Sequence, residues 1–123
     1  MKIAILSARV LLGLIFVVFG LNGFIGFIHM PPPEGQAAAF LGAMFVSGYF
    51  KVVYVLEIIG GLLVLSGRFV PLGLTLLGPI VVNILLFHFF LAPAGLPLAL
   101  VVSLLALTAL YGQRASFAAL VRP

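Results

Sequence analysis

Cysteine and tryptophan are both absent from this chain of 123 residues, and only two of its residues are acidic. The lack of cysteine excludes disulfide bonds, thiol catalysis and cysteine-ligated metal sites. Two histidines and two separated glutamates are also too few, at their spacing, to form a zinc site. We therefore predict no metal site, and each of the few charged side chains needs its own explanation.

The residues that are present make the chain strongly apolar. It is 65% hydrophobic and 7% charged, with a mean hydropathy of +1.45. A soluble domain of this length cannot bury so much apolar surface, so the surrounding solvent must be the lipid bilayer. The length allows a single domain, residues 1–123. The net charge is +4, but the basic residues are scattered at the ends of apolar segments, and nucleic-acid binding is not expected without a contiguous basic patch.

Four apolar runs are long enough to cross the hydrocarbon core, which predicts an all-α, four-helix bundle in the membrane. The predicted spans are residues 4–28, 49–66, 69–91 and 96–112. Three consecutive prolines from Pro31 to Pro33 separate the first two spans, because proline cannot continue a helix. Residues 36–47 are apolar but short, and could form a re-entrant or interfacial half-helix or the start of the second span. The first run is too long for a signal peptide and is expected to be retained.

Four spans place both termini on the same side of the membrane, and the basic residues then divide unequally. Only Lys51 falls on the opposite side. The residues on the side of the termini are Lys2, Arg9, Arg68, Arg114 and Arg122. The positive-inside rule therefore predicts that both termini are cytoplasmic and that the proline-rich loop faces outward.

Glu57 lies inside the second apolar run, where an ionisable side chain costs roughly 2.5–3.5 kcal/mol to insert. Asn83 in the third span is predicted at the same depth, roughly 12 Å below the outer boundary. Asn22 in the first span lies at a similar level, and Lys51 and His88 are expected nearer the surface.

This shared depth predicts a pocket in the outer leaflet, lined by these five polar residues, with Glu57 as the best candidate for a catalytic group or proton acceptor. Polar groups in lipid seek one another, because the alternative is an unsatisfied group in hydrocarbon. The alternative interpretation is a hydrogen-bonded clasp between Glu57 and the two asparagines, which would only fix the helix register. The sequence leaves both interpretations open.

Other chemistry finds little support in the sequence. His29 and His88 could face one outer cavity and ligate a haem iron, but nothing else supports a haem, and we do not expect one. The sequence contains no phosphate-binding loop, no Ser–His–Asp set and no paired carboxylates, so hydrolysis and phosphoryl transfer are not expected. The chain is not predicted to be a stand-alone enzyme, although a role as an oxidoreductase subunit stays open.

Two stretches of the chain resemble the DoxX-like family of membrane proteins. They are the first-span stretch ARVLLGLIFVVFGLN, residues 8–22, and the second-span stretch EIIGGLLVLSGR, residues 57–68. The stretch through Asn83 and His88 is compatible with the third span of that family, so the resemblance covers nearly the whole chain. The family often has a lysine directly after the asparagine, where this chain has Gly23.

The resemblance implies a four-helix bundle in the plasma (inner) membrane of a bacterium or archaeon. It also implies a function as a membrane subunit of, or accessory to, a quinone-linked redox system, since some relatives are subunits of thiosulfate–quinone oxidoreductases. A quinone is then the cofactor to consider, and any redox role would need a redox partner protein or a bound cofactor, because the chain has no redox group of its own. A homo- or hetero-oligomer is expected.

Two other functions stay open at this point. A small proton-coupled transporter or channel could use Glu57, as dimeric drug exporters of similar length use one glutamate in a four-helix protomer. In those exporters, however, the glutamate lies in the first span, whereas here it lies in the second. The third interpretation is a structural subunit of a larger membrane assembly, in which the carboxyl serves packing alone.

Overall fold

The computed structural model describes all 123 residues and contains helices but no β-strand. The α-helices are α1 (Lys2–Ile25), α2 (Gly35–Val46), α3 (Tyr49–Ser66), α4 (Val70–Phe90), α5 (Leu96–Gly112) and α6 (Arg114–Phe117). A 3₁₀ turn, Pro93–Gly95, precedes α5, and a second, Ala118–Val121, follows α6. Helices α1, α3, α4 and α5, the last with its preceding turn, are long and apolar enough to cross a membrane. The predicted all-α bundle with four helices that could span a membrane is thus confirmed.

Most large apolar side chains lie on the outside of the bundle, and only 17 of the 123 residues are buried. The small core is formed where the four long helices meet, around Leu12, Phe16, Val64, Leu77 and Val102. An apolar exterior of this extent would drive aggregation in water, whereas acyl chains cover it in a bilayer. The burial pattern therefore agrees with a multi-pass membrane protein.

Helix α1 ends at Ile25, three residues before the predicted end of the first span at residue 28. Gly26 takes the left-handed conformation, with φ 73°, and its N–H donates to the Asn22 carbonyl at 2.7 Å. The Asn22 side chain completes this cap, because its Oδ1 accepts a hydrogen bond from the Ile28 N–H at 2.6 Å. Asn22 thus caps the end of α1 and does not lie within a helix that continues to residue 28.

For residues 36–47 the sequence left open a re-entrant or interfacial half-helix or the start of the second span. They form most of α2, a separate helix of 12 residues that is about 18 Å long. Gly35 and Gly48 bound this helix with positive φ angles of 60° and 84°, and Gly48 turns the chain from α2 into α3. Only Ala37 of α2 is buried, so this helix packs against the side of the bundle and not within it.

Helix α3 packs between α1 and α4, where paired glycines let these neighbours approach closely. A Cβ added at Gly61 would lie 2.9 Å from the Gly13 carbonyl oxygen of α1, and one added at Gly13 would lie 2.8 Å from the Gly61 carbonyl oxygen. On the α4 side, a Cβ at Gly73 would lie 2.9 Å from the Gly60 carbonyl oxygen. Small residues at such crossings permit backbone contact between membrane helices, and the adjacent pair Gly60 and Gly61 serves two helices at once.

An arginine joins α1 to the end of α3. The Arg9 Nη1 donates to the Val64 carbonyl at 2.6 Å and to the Leu65 carbonyl at 3.3 Å. Cations are favourable at the C-terminus of a helix, where carbonyl groups lack partners. Gly112 at the end of α5 packs against Ile5 of α1, so α5 ends at this same end of the bundle. We name it the basic end, defined by Lys2, Arg9, Arg68, Arg114 and Arg122.

Candidate functional site

A cavity of about 540 Å³ lies away from the basic end, between the last turns of α1, the helix α2 and the first half of α3. Its walls are mostly apolar and aromatic, and its polar side chains are Asn22, Tyr54 and Glu57. The remaining lining residues are Phe19, Gly23, Met30, Pro33, Ala38, Leu41, Gly42, Phe45, Val46 and Phe50. The volume falls in the range of roughly 300–1,000 Å³ that is typical of small-molecule sites, which are also mostly apolar with a few polar groups.

Glu57 is half-buried in the wall of this cavity. Gly20 of α1 packs directly against it, since a Cβ at Gly20 would lie 3.2 Å from the Glu57 Cβ. Every side-chain hydrogen bond of the protein has a main-chain partner, and none involves the Glu57 carboxyl. No fully buried side-chain oxygen or nitrogen lacks a hydrogen-bond partner. Because the Glu57 carboxyl oxygens have no partner, they are not fully buried, and they are accessible from the cavity that Glu57 lines.

Tyr54 is the site residue that the sequence analysis missed. It lies three residues before Glu57, a spacing that places both side chains on the same face of α3, and it lines the same cavity. Its ring packs edge-on against Phe24, with centroids 5.6 Å apart, and also against Phe50 at 5.6 Å. Its i, i+3 spacing from Glu57, the one acid within an apolar run, could have identified Tyr54 from the sequence.

Gly23 explains how the tyrosine fits beside α1. A Cβ added at Gly23 would lie 2.5 Å from three atoms of the Tyr54 ring. The ring therefore occupies the space that any larger side chain at this position would need. A lysine at this position could not be placed without displacing Tyr54.

Asn22 lines the cavity, but its Oδ1 already accepts a hydrogen bond from the Ile28 N–H. The other three predicted pocket residues lie elsewhere. Asn83 is exposed on α4, and its Nδ2 donates to the Pro79 carbonyl of its own helix at 2.8 Å. The buried face of α4 includes Val81, and two residues further along a helix is about 200° around the axis, which turns Asn83 away from the bundle.

His88 and Lys51 are also outside the cavity. The His88 ring is half-buried against Gly95, its Nδ1 lies 2.8 Å from the Ile84 carbonyl, and it meets the Phe87 ring edge-on at 5.1 Å. Lys51 is exposed in the first turn of α3. The clasp between Glu57 and the two asparagines does not form, because both amides bond to main-chain groups.

No group of three or more metal-ligating side chains is brought together in the fold. His29 is exposed in the loop after α1, and His88 is tied to its own helix near the end of α4. The chemistry of the cavity is therefore that of one carboxyl, one phenol and one amide among aromatic walls.

Comparisons of the chain with protein-family models, with curated proteins and with solved structures find no match.

Proposed function

We propose that this protein is a DoxX-like accessory subunit of a quinone-linked redox system, and that its cavity binds the quinone. The observation that supports this proposal is the cavity of about 540 Å³, in which a carboxyl and a phenol share one wall among aromatic side chains. A membrane protein that only packs against others has no need to keep an uncommitted carboxyl at this depth, where it is costly.

The cavity fits a quinone in size and in chemistry. Phe19, Phe45 and Phe50 supply flat apolar surfaces for a ring, and the surrounding aliphatic side chains suit an isoprenoid tail. Pockets of this kind need few polar groups, which then fix the orientation of the ligand. Tyr54 and Glu57 are placed to do this from one side, because they lie on the same face of α3.

The roles of the residues follow from their functional groups. The Tyr54 hydroxyl can donate a hydrogen bond to a ligand carbonyl oxygen. Glu57 can hold a proton at its carboxyl, shielded from the bilayer by Gly20 and α1. A bound quinone supplies the two-electron redox chemistry that no side chain of this protein can supply. The electrons come from a partner protein in this proposal, since the chain has no cysteine.

The proposal includes an orientation in the plasma membrane. Five of the six basic residues belong to the basic end, which also carries both termini. The positive-inside rule assigns this end to the cytoplasm. The cavity then opens in the outer half of the bilayer, next to the proline-rich loop.

Purification in mild detergent, followed by extraction and quinone analysis, tests the proposal. We expect about one quinone per cavity in the wild type, and at least a tenfold loss in Glu57→Gln together with Tyr54→Phe, because each removed group takes part in about 1–1.5 kcal/mol of polar binding. Tyr49→Phe is the matched control, since Tyr49 is exposed at the start of α3. A wild-type protein that carries no quinone, or equal loss in the control, contradicts the proposal.

The second candidate function is a proton-coupled transporter that uses Glu57. The observation that favours it is the absence of any basic residue from the cavity lining, combined with four aromatic rings and one carboxyl. Such a lining can attract a lipophilic cation through its aromatic faces. Flux into liposomes with and without a pH gradient tests this function, and flux that Glu57→Gln leaves unchanged counts against it.

A further inference from the structure

A second apolar groove lies at the basic end, far from the cavity around Glu57. It has a volume of about 410 Å³ and runs between the last turns of α5 and the short helical turns that follow it. Leu107 and Leu110 form one side of the groove, and Phe117 and Val121 form the other. Arg114 and Tyr111 are the lining residues that carry a polar or charged group.

Arg114 is held at the rim by Tyr111. Its Nη1 donates to the Tyr111 carbonyl at 2.8 Å, and its Cζ lies 4.2 Å from the centre of the Tyr111 ring. An arginine has five N–H donors in a planar fork, so most of them stay free after this one bond. Stacking on the ring fixes the plane of the guanidinium, which prepares it for a bidentate acceptor.

No acidic side chain of the protein can neutralise this arginine. Glu34 precedes α2, and Glu57 lies nine residues before the end of α3, so neither belongs to the basic end. Arg9, the other arginine with side-chain hydrogen bonds, is committed to carbonyl groups of α3. No side chain of the protein therefore supplies an anion for Arg114.

We propose that this groove binds one anionic phospholipid, with an acyl chain between α5 and the C-terminal turns and the phosphate on Arg114. The apolar sides of the groove match an acyl chain, and the guanidinium fork matches phosphate oxygens. The positive charge of the whole basic end adds a preference for a headgroup with net negative charge. This site uses none of the residues of the cavity, and it stands whether or not a quinone binds there.

Native mass spectrometry on the delipidated full chain tests the site, with phosphatidylglycerol and phosphatidylcholine as the titrated probes. We expect one phosphatidylglycerol molecule to bind more tightly than phosphatidylcholine. Arg114→Gln should weaken this binding about fivefold, because it removes charge-assisted hydrogen bonds made directly to the phosphate. Arg68→Gln is the matched control, because it removes the same charge from the same end but not from the groove, and it should change the affinity less than about twofold.

A second variant separates the acyl chain from the headgroup. Ala118 also lines the groove. Ala118→Trp fills the groove and leaves every charge in place, so it should weaken phosphatidylglycerol binding as strongly as Arg114→Gln does. Both variants are checked for monodisperse elution before titration, and Arg114→Lys, which keeps the charge, replaces Arg114→Gln if that variant does not fold. In this case we expect partial retention of phosphatidylglycerol binding, because lysine cannot form the planar fork.

Three outcomes overturn the proposal. They are an equal loss of affinity in Arg68→Gln, no preference between the two lipids, and adducts of inorganic phosphate in place of lipid.

Discussion

The contact between α1 and α3 has two halves, each with one ionisable side chain, and only one of these side chains is hydrogen-bonded. In the half near the basic end, Arg9 donates to the last carbonyls of α3 and the helices touch at Gly13 and Gly61. In the half near the proline-rich loop, Glu57 has no hydrogen-bond partner and faces a cavity. The arginine is therefore part of what holds the bundle together, whereas the carboxyl is available for a ligand or a proton.

The largest change in stability is expected from adding a methyl group where α1 and α3 touch, at Gly13 and Gly61. A Cβ at Gly61 would lie 2.9 Å from both the Gly13 carbonyl oxygen and the Val17 backbone nitrogen, neither of which can move without shifting α1. Gly61→Ala should lower the free energy of unfolding by about 2–3 kcal/mol, measured by titration with SDS. Gly78→Ala is the control, because nothing lies within 4 Å of its added Cβ. Equal stability of the two variants would contradict the proposed backbone contact.

The next largest effect is expected from Arg9→Gln. This change removes a charged donor from the Val64 and Leu65 carbonyls at the end of α3. Hydrogen bonds to charged groups contribute about 1.5–3 kcal/mol, but part of this is lost to solvent at the membrane surface, so we expect a loss of about 1–2 kcal/mol. Arg122→Gln, at an exposed arginine of the same end, should cost less than about 0.5 kcal/mol. A comparable loss in both variants would show that overall charge, and not the hydrogen bonds from Arg9 to the end of α3, stabilises the bundle.

The sequence predicted the long helices well because their apolar length alone requires them. A common membrane depth for Glu57, Asn22 and Asn83 stays a prediction, and depth along a helix does not fix the direction around its axis. Asn83 is turned about 200° from Val81 on the buried face, and Lys51 is six residues, or about 240°, from Glu57. Applying the 3.6-residue period to α3 would have selected Tyr54 in place of Lys51.

The contribution of α2 to the site could not be predicted in the same way. Its residues Ala38, Leu41, Gly42 and Phe45 close one side of the cavity, yet nothing in an evenly apolar stretch shows which side chains face inward. That placement depends on Gly35 and Gly48, whose positive φ angles set the direction in which α2 leaves the proline-rich loop and enters α3. Glycine permits such angles without requiring them, so the direction of α2 cannot be predicted from the two glycines alone.

The two asparagines offer a smaller test of the same comparison. Asn22→Leu should lower the free energy of unfolding by about 1 kcal/mol, because the Ile28 N–H loses its acceptor at the end of α1. Asn83→Leu should change it by less than about 0.5 kcal/mol, since the Asn83 side chain is exposed and bonds only to its own helix. Unfolding curves in SDS measure both. A larger loss for Asn83→Leu would mean that this residue has a partner outside the chain.

The smallest effect on stability is expected at the residue with the largest expected effect on function. Glu57→Gln keeps the volume of the side chain and breaks no hydrogen bond of the fold, so the free energy of unfolding should stay within about 0.5 kcal/mol of the wild type. Arg9→Gln in the same SDS titration gives the contrast, because it changes the charge of the other half of the same contact. A loss of 1 kcal/mol or more in Glu57→Gln, without bound ligand in the wild type, would mean that the carboxyl has a structural partner. The two halves would then be alike, and the cavity would no longer support a site.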